Sequence, residues 1–359
     1  LVKELAKNKK HQFTVLCSHQ SGQPRESKVF GATVIRCGPT IPYSGKGNIL
    51  KRFQVAYSLY KEGKNINTYA NTYANIPLPS IVEGASFLTY PSAYFLGKKF
   101  KAKKVATWHE TWVGEWIKNK GLVTGLFGEA WERFSLHLKW DEVISVSDFT
   151  KKRLVERWIS ENKIRILHNG IALAEIKSIS AQKESVPTIC YFGRLNWQKN
   201  VDVLIKAFAE VKKEIPEVQG KILGSGPALE ELQKLTKELE LEKSLKFYGH
   251  IPNYKELLTE VKKCHLFVQP SSLEGFGITV IEALALGLPG VLSDIPPFLE
   301  ITKNGKGVEI SPQKNHLELA KRIILLLKDK ELYSKKIQEG EELVKEYDWK
   351  NIAEQGYTL

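Results

Sequence analysis

Short runs of β-branched and apolar residues alternate along the chain with longer stretches in which apolar residues recur at helical spacing. This alternation is typical of repeated strand–helix units that assemble into parallel sheets. In the first half the predicted strands are residues 13–17, 28–36, 104–109, 142–147 and 163–169. The opening residues 1–10 predict a first helix. We expect the strand and the strand-to-helix loop that should precede this helix to be missing from the sequence.

The alternation restarts after a polar segment, residues 169–187, which we interpret as a linker between two domains. Beyond it the predicted strands are residues 188–194, 220–224, 245–249, 265–270, 289–293 and 307–310. Helices are predicted at residues 200–214, 227–240, 253–263, 278–287 and 314–342. This order predicts the α/β class, with two doubly wound Rossmann-like domains at residues 1–175 and 176–344. Ligands of such sheets bind beyond the carboxyl ends of the strands, so the loops that follow strands are the candidate sites.

The composition agrees with two globular domains. A length of 359 residues and an apolar content of 42% are sufficient for two packed cores. The sequence contains no apolar run long enough for a transmembrane helix and no signal-peptide pattern at its start. Its cysteines are widely spaced and form neither a CxxC motif nor a cluster with histidine: Cys17, Cys37, Cys190 and Cys264. We therefore expect a reduced, cytoplasmic chain without a structural metal.

The net charge of +13 is unevenly distributed. Residues 1–180 contain 28 Lys and Arg against 14 Asp and Glu, whereas the remainder contains 25 against 26. The densest basic cluster consists of Lys98, Lys99, Lys101, Lys103 and Lys104. Two interpretations stay open at this point. The surplus is either a solvated lysine-rich surface, or a basic face that meets anionic lipid at the inner side of a membrane or a phosphorylated acceptor.

The segment "SSLEGFGITVIEALALGLP", residues 271–289, places one glutamate before a glycine turn and a second inside the helix that follows. The predicted helix begins near Ile278, and the N–H groups of a helix N-terminus favour an anion. Gly275 and Gly277, on either side of Phe276, allow the backbone to approach a ligand closely. Glu274 can accept hydrogen bonds from sugar hydroxyls. A capping loop with a partly exposed glutamate is the structural alternative.

The second glutamate, Glu282, lies about one turn into an otherwise apolar helix. Its charge cannot be buried there without a partner. A ribose diol would supply two hydrogen-bond donors, so we predict that Glu282 binds the ribose of a nucleotide.

A second group of candidate residues is "YFGRLNWQKN", residues 191–200. Arg194 and Lys199 follow Gly193 in the loop between a predicted strand and helix 200–214. Two cations in this position suit a diphosphate, although a pair of surface cations is the structural alternative. The turn "FYGHIP" follows the next-but-one strand, and the backbone of Gly249, His250 and Ile251 could hydrogen-bond a base edge.

In the first half, His109 and Glu110 lie at the carboxyl end of the strand predicted at residues 104–109. A lone histidine is more often structural than catalytic, but the carboxyl end of a strand is where ligands bind. No HExxH motif is present, so zinc hydrolysis has no support. The aromatic-rich segment 122–140 is typical either of a core helix or of a helix at a bilayer interface, and we favour the core helix.

With these motifs in place, the sequence resembles the retaining, GT-B-fold glycosyltransferases of family 4. "EGFGITVIEALALGLP" resembles the family's E-x7-E segment, and "GRLNWQKNVDVLIKAF" resembles its phosphate-binding block. "HNGIAL", "SVSDFTKKRL" and "YDWKNIAEQGYTL" resemble further family segments; the last of these is the terminal helix, residues 345–359, that packs back on the first domain. The resemblance implies two Rossmann-like domains facing across a cleft. It covers nearly the whole chain.

The resemblance also implies roles for the candidate residues. Arg194 and Lys199 would hold and stabilise the leaving diphosphate of the donor, and Glu282 would bind its ribose. Glu274 with the backbone from Gly275 to Ile278 would hold the transferred sugar and the distal phosphate. His109 would line the sugar and acceptor side. The expected donor is a GDP-, UDP- or ADP-hexose, with no separate cofactor and no metal.

The expected acceptor is a glycan, a glycolipid or a phosphorylated compound. Two other classes of function stay open from the residues themselves. The first is a glycosidase that uses Glu274 and Glu282 as paired carboxylates. The second is a non-catalytic basic protein that binds nucleic acid or a membrane, although the sequence contains no nucleic-acid motif. The two cations beside the glutamate motif favour the transferase over both, and no nucleic-acid partner is expected.

Overall fold

The computed structural model describes residues 1–7, 11–40, 49–66 and 78–356. The chain divides into two compact units. Unit 1 consists of Leu1–His168 with Ala353–Leu359, and unit 2 consists of Asn169–Ile352. The division falls a few residues before the boundary predicted at residue 175. The last three residues of the predicted terminal helix, 357–359, lie outside the described part.

Unit 1 contains two sheets among its described residues. The first has the order β1-β3-β2, and the second has the order β4-β5-β6-β7 with all strands parallel. The strands are β1 (Thr14–Ser18), β2 (Glu26–Val29), β3 (Ala32–Cys37), β4 (Ile81–Gly84), β5 (Lys103–Trp108), β6 (Glu142–Ser145) and β7 (Ile164–Ile166). The helices are α1 (Val2–Leu5), α2 (Ile49–Lys64), α3 (Tyr90–Phe100), α4 (Trp116–Lys120), α5 (Leu122–His137) and α6 (Asp148–Val155). A 3₁₀ turn at Glu161–Lys163 precedes β7.

One strand predicted in unit 1 was wrong and another was missed. Residues 28–36 are not one strand, because they contain the end of β2, a turn at residues 30–31 and most of β3, which pairs antiparallel with β2. The cause is the pair Phe30 and Gly31, whose φ angles of 50° and 85° match a tight hairpin turn. Strand β4 was not predicted, because a four-residue strand next to a helix gives almost no periodic signal. Helix α1 ends at Leu5, and residues 8–10 of the predicted first helix lie outside the described residues.

The core of unit 1 is rich in aromatic side chains. The ring of Tyr90, on α3, stacks on the ring of Trp108 at a centroid distance of 4.0 Å. Trp140 is also buried and packs edge-on against Tyr90. Because Trp108 is the last residue of β5, this packing fixes the point at which the strand ends and its carboxyl-end loop begins.

Unit 2 contains one parallel six-stranded sheet with the order β10-β9-β8-β11-β12-β13. The strands are β8 (Thr188–Phe192), β9 (Gln219–Leu223), β10 (Leu245–Gly249), β11 (Leu266–Gln269), β12 (Gly290–Ser293) and β13 (Val308–Ser311). The helices are α7 (Leu173–Lys177), α8 (Val201–Glu214), α9 (Leu229–Glu238), α10 (Tyr254–Lys262), α11 (Ile278–Ala285), α12 (Pro296–Ile301), α13 (His316–Lys328) and α14 (Lys330–Leu343). Helix α15 (Trp349–Gly356) begins in unit 2, and its residues from Ala353 onward belong to unit 1. The 3₁₀ turns Trp197–Lys199 and Val344–Tyr347 complete the unit.

The predicted strands and helices of unit 2 are present, with three differences. The helix predicted at 314–342 is two helices, because the carboxylate of Asp329 accepts a hydrogen bond from Leu332 N at 2.9 Å and caps the second. Helix α12 was not predicted. Helix α7 lies inside the predicted linker, and Ile176 on it is buried. The backbone just before α7 forms a parallel bridge between Ile171 and Asp348, which anchors the start of α15.

The strand order of unit 2 determines where a ligand can bind. The chain leaves β8 to form β9 on one side, and later returns to form β11 on the other side. Strands β8 and β11 are therefore neighbours whose connections run in opposite directions. In a doubly wound sheet this is the switch point, where the carboxyl ends of the two strands leave an open crevice. The loops after β8 and β11 contain both motifs singled out in the sequence.

The described residues contain no helix that combines the length and apolarity needed to span a bilayer. All four cysteines are free thiols. Cys37, Cys190 and Cys264 are buried, and Cys17 is partly exposed.

Candidate functional site

The loop after β8 is held by close backbone packing. Gly193 has a φ angle of 146°, and its N–H donates to the carbonyl of Leu223 at 3.0 Å. A Cβ on Gly224 would lie 1.8 Å from the carbonyl oxygen of Gly193, so the loops after β8 and β9 can approach this closely only because residue 224 has no side chain. The Tyr191 hydroxyl donates to the carbonyl of Arg194 at 2.8 Å. Arg194 follows this fixed turn with its side chain exposed.

The 3₁₀ turn Trp197–Lys199 is bonded directly to the loop after β11. Ser272 N donates to the carbonyl of Gln198 at 2.8 Å, and the Asn200 side-chain amide donates to the carbonyl of Pro270 at 3.0 Å. Asn200 has a φ angle of 48°, a left-handed conformation that asparagine tolerates better than most residues. These bonds place Lys199 against the loop that carries the first glutamate.

The structure brings two of the predicted site residues into contact. Lys199 Nζ lies 2.6 Å from Glu274 Oε1, and both side chains are largely buried. The same oxygen accepts a hydrogen bond from Ser271 Oγ at 2.9 Å, and Gln269 Nε2 lies 3.4 Å away. A charged pair at this degree of burial needs such additional bonds, since each charge has left most of its water. An ammonium group has three donors, so Lys199 can keep Glu274 and still donate to a ligand.

Helix α11 begins directly after the Glu274 loop. Its N-cap is Gly277, at a φ angle of 101°, where a Cβ would lie 2.7 Å from the ring of Phe298. Glycine is therefore required both for conformation and for space. Phe276 and Gly275 are buried, and Ile278 is partly exposed. Val280 N donates to the carbonyl of Gly277 at 3.0 Å. Because Gly277 has no side chain to cap the helix, the N–H groups of Ile278 and Thr279 point to a place where an anion is favoured.

The second glutamate has a different partner. Glu282 is 9% exposed, and its Oε1 accepts a hydrogen bond from the Tyr254 hydroxyl at 2.6 Å. Burial raises the pKa of Glu282 to about 7, although the bond from Tyr254 acts in the opposite direction. Burial raises the pKa of the Tyr254 phenol as well, and the charges of Glu282 and Glu175 add to this effect. The ionisation of Glu282 is thus shifted toward neutral pH.

The third loop of the candidate donor site follows β10. Gly249 has a φ angle of 67°, and its carbonyl accepts a hydrogen bond from Gly224 N at 2.8 Å. His250 is exposed and Ile251 is partly exposed. The turn at residues 223–227 therefore links the loops after β8 and β10.

His109 lies in unit 1, as the first residue after β5. Surrounding protein atoms lower the pKa of its imidazole by desolvation, while Glu83 and a hydrogen bond with the backbone of Ala85 act in the opposite direction. The loop beyond it is anchored by Glu132 of α5, which accepts hydrogen bonds from Trp112 N at 3.1 Å.

The predicted residues therefore fall into three groups. Lys199 and Glu274 are in contact, and Arg194 lies in the same loop as Lys199 without a direct bond to Glu274 among the described contacts. Glu282 is bonded to Tyr254 instead. His109 belongs to the other unit.

Three further residues shape the site and were not predicted from the sequence: Tyr254, Ser271 and Gln269. Gln269 is a buried polar residue at the end of the apolar strand β11, and this exception in an apolar run was the available signal. Ser271 follows it at the start of the loop. Tyr254 had no local signal, because its partner lies 28 residues further along the chain.

The sequence matches two family profiles that together cover most of the chain. "Glycosyltransferase Family 4" matches residues 1–175, and "Glycosyl transferases group 1" matches residues 174–343. A relative from Haemophilus influenzae, an uncharacterized glycosyltransferase, is 26% identical over 216 residues. That alignment covers 60% of this chain and 60% of the relative, so the chain spans less than two thirds of that relative's length.

Two solved structures show the same fold over almost the whole chain. Sucrose-phosphate synthase from Thermosynechococcus elongatus is similar with a TM-score of 0.76 at 20% identity, covering 99% of this chain and 90% of that one. Anabaena HepE, solved in complex with UDP and glucose, is similar with a TM-score of 0.70 at 16% identity, covering 96% and 98%. The chain therefore belongs to the family 4, group 1 glycosyltransferases and has the GT-B fold.

Proposed function

We propose that this protein is a retaining glycosyltransferase that moves a hexose from a nucleoside diphosphate sugar to a glycan, a glycolipid or a phosphorylated acceptor. The observation that carries the proposal is the contact of Lys199 with Glu274 at the switch point of the unit 2 sheet. It places a cation, a carboxylate and the N-terminus of α11 in one crevice. This combination suits a ligand with a diphosphate at one end and a sugar at the other.

The diphosphate would be bound by Lys199, by Arg194 and by the first N–H groups of α11. Lys199 keeps one bond to Glu274 and has donors left for a phosphate oxygen. Lys199 and the start of α11 are held in place before the ligand arrives, so they can stabilise the negative charge that develops on the leaving diphosphate with little reorganisation. Two cations and a helix N-terminus would perform this role without a metal ion.

The rest of the donor would bind to the neighbouring loops. The Glu274 carboxylate can accept hydrogen bonds from the hydroxyls of the transferred sugar. The Glu282 carboxylate can accept them from the ribose, in place of or together with the Tyr254 hydroxyl. The base would meet the backbone after β10, at Gly249, His250 and Ile251. His109, in unit 1, is the candidate residue for a role toward the acceptor.

The reaction breaks the bond between the anomeric carbon of the hexose and the diphosphate oxygen, and that oxygen keeps the electron pair. The acceptor hydroxyl forms the new bond to the same face of the sugar, and its proton passes to the departing phosphate. The anomeric configuration is thereby retained through an oxocarbenium-like transition state. Glu274 is assigned no nucleophilic role, because the departing phosphate takes the acceptor's proton on the same face and no covalent intermediate is needed.

The test of the proposal is calorimetric titration of UDP, GDP and ADP, each without added metal and in the presence of a chelator. UDP leads the panel because Anabaena HepE was solved with it. One nucleotide should bind tightly, and Glu282→Ala should weaken it at least tenfold, about 1.4 kcal/mol, by removing the ribose contact.

Glu230→Ala, an exposed glutamate on α9 of the same unit, is the matched control and should bind as the wild type does. Binding of no nucleotide, or binding that requires a divalent metal, would contradict the proposal. With the nucleotide known, the anomeric configuration of the product, followed by proton NMR, tests retention.

A further inference from the structure

Helix α5 presents an apolar face to solvent. Its exposed side includes Leu122, Val123, Leu126 and Phe134, which are 65%, 77%, 53% and 47% exposed. Leu122, Leu126 and Phe134 recur at multiples of four residues, and the exposed residue Ala130 fills the gap in this series. The outward face of a surface helix is normally polar, so this stripe is an unusual surface for a soluble unit.

The helix cannot rotate to bury that stripe, because its opposite face is packed against α4. A Cβ on Gly125 would lie 2.4 Å from the backbone of Ile117, and a Cβ on Gly128 would lie 2.4 Å from the ring of Trp116. Helix α4 is therefore packed directly on two glycines of α5. Trp116 Nε1 also donates to the buried carboxylate of Glu132 at 2.5 Å.

Positive charge accompanies the stripe. Lys118 and Lys120 are exposed on α4, which leads into the first turn of α5. The acidic residues of α5 are occupied: Glu132 is buried, and Glu129 pairs with Arg133 at 2.7 Å. An exposed apolar stripe with lysines at its end is complementary to the acyl boundary and the anionic headgroups of a bilayer.

We propose that the outward face of α5, with Lys118 and Lys120, is a docking surface for an anionic lipid bilayer. The helix would lie in the plane of the interface, with Leu122, Val123 and Leu126 in the acyl boundary and the two lysines at the headgroups. The stripe from Leu122 to Phe134 is about 18 Å long at the rise of an α-helix. The proposal is independent of the nucleotide site, since every residue in it belongs to unit 1.

The proposed lipid contact on α4 and α5 is not at the densest basic cluster of the sequence, residues 98–104. Within that cluster Lys103 pairs with Glu142 at 2.7 Å and Lys104 pairs with Asp141 at 2.5 Å. The cluster lies at the amino end of β5, whereas α4 follows the loop at its carboxyl end. The six residues of β5 separate the two positions by about 20 Å.

Cosedimentation with vesicles tests the apolar part of the surface. The vesicles are phosphatidylcholine alone and phosphatidylcholine mixed with phosphatidylglycerol. The wild type should bind the mixed vesicles. The partition coefficient of the triple variant Leu122→Ser, Val123→Ser, Leu126→Ser should be about tenfold lower than that of the wild type, or lower still. Leu317→Ser, which removes a 53% exposed leucine from unit 2, is the control and should bind unchanged.

A second pair of variants tests the charged part. Lys118→Gln with Lys120→Gln should reduce binding to the mixed vesicles by about tenfold and should leave binding to phosphatidylcholine alone unchanged. Lys98→Gln with Lys99→Gln removes the same charge from exposed lysines at the other end of β5 and should change binding less than twofold. Added salt should weaken the wild type and abolish the difference between the two variants.

Three outcomes would overturn the proposal. One is a wild type that does not sediment with the mixed vesicles at low salt. Another is a triple variant that binds as tightly as the wild type. The third is a wild type that sediments as a dimer in the analytical ultracentrifuge and is converted to a monomer by the triple variant, since the stripe would then be covered by a second copy. Circular dichroism and nucleotide binding show whether the triple variant is folded.

Discussion

Each unit uses a largely buried glutamate to hold the loop after a strand of its parallel sheet, but the partners of the two carboxylates differ. In unit 2, Glu274 contacts the ammonium of Lys199 at 2.6 Å. In unit 1, Glu132 accepts hydrogen bonds from Trp112 N and from the indole of Trp116. One carboxylate is neutralised by a cation, whereas the other is held by neutral donors in an aromatic core.

The difference separates a ligand site from a structural anchor. Glu132 is 2% exposed, and burial raises its pKa even though the bonds from its neighbours act in the opposite direction. Its donors have no further protons to offer. Lys199 retains donors beyond the one that Glu274 uses, and the loop of Glu274 leads directly into the N-terminus of α11. Replacing Lys199, the partner of Glu274, should therefore impair catalysis, whereas replacing Glu132 should lower the stability of unit 1.

The largest expected effect is that of Lys199→Ala. The substitution removes a cation from the diphosphate site and leaves Glu274 largely buried without its countercharge. We expect the rate of nucleoside diphosphate release from the donor sugar to fall about 10²- to 10³-fold. A coupled assay for the released diphosphate, with the nucleotide sugar identified by titration, measures this rate.

Lys206→Ala is the control for Lys199→Ala. Lys206 lies on α8 of the same unit, and its contact with Asp202, at 3.4 Å, is exposed. Such a pair contributes little, so the rate should change less than about twofold. Equal rates for the two variants would show that the contact between Lys199 and Glu274 has no part in the reaction.

The next largest effect concerns unit 1. Glu132→Ala leaves the backbone N–H of Trp112 and the indole N–H of Trp116 buried without an acceptor. We expect the free energy of unfolding of unit 1 to fall by about 2–4 kcal/mol. Denaturant unfolding followed by tryptophan fluorescence measures it, and nucleotide binding by unit 2 should be unchanged.

Glu129→Ala is a matched control, since Glu129 lies one turn earlier on α5 and accepts a hydrogen bond from Gly114 N in the same loop. Glu129 is more exposed, so its loss should lower the free energy of unfolding by less than about 1 kcal/mol. If Glu129→Ala destabilises as much as Glu132→Ala, the anchor is not the buried carboxylate.

The sequence predicted the elements of unit 2 better than those of unit 1, for a physical reason. Buried parallel strands such as β8 and β11 are continuous apolar runs, and they alternate with helices whose apolar residues are clearly periodic. The hairpin of β2 and β3 depends on two left-handed residues inside one β-branched run. The break between α13 and α14 depends on one side-chain cap at Asp329. A two-residue turn or one side-chain cap leaves no periodic signal in the sequence.

The candidate site shows the same limit. Charged residues that follow strands were visible in the sequence, which is why Lys199 and Glu274 were both selected. Their contact was not visible, because it joins loops 75 residues apart in the chain. The partner of Glu282 was predicted to be a ribose, yet in the structure Tyr254 already donates to it. Long-range pairs follow from the sheet order, which periodicity alone does not give.

The smallest expected effect is that of Tyr254→Phe on the pH dependence of nucleotide binding. Only the ionised carboxylate of Glu282 accepts hydrogen bonds from both ribose hydroxyls. Its pKa is raised to about 7, so nucleotide affinity should increase as the pH rises through 7. The bond from Tyr254 lowers that pKa, so Tyr254→Phe should move the midpoint to higher pH and weaken binding at pH 7 about fivefold.

Calorimetric titrations between pH 5.5 and 8.5, for the wild type, Tyr254→Phe and Glu282→Gln, measure this dependence. Glu282→Gln cannot titrate, so its profile gives the contribution of the nucleotide's own phosphate and is subtracted from the others. If Tyr254→Phe binds more tightly at every pH, the tyrosine competes with the ribose for Glu282 instead of supporting its charge. A shifted midpoint with weaker binding means that the two buried groups act together, since the phenol then holds the carboxylate ionised in the position where the ribose needs it.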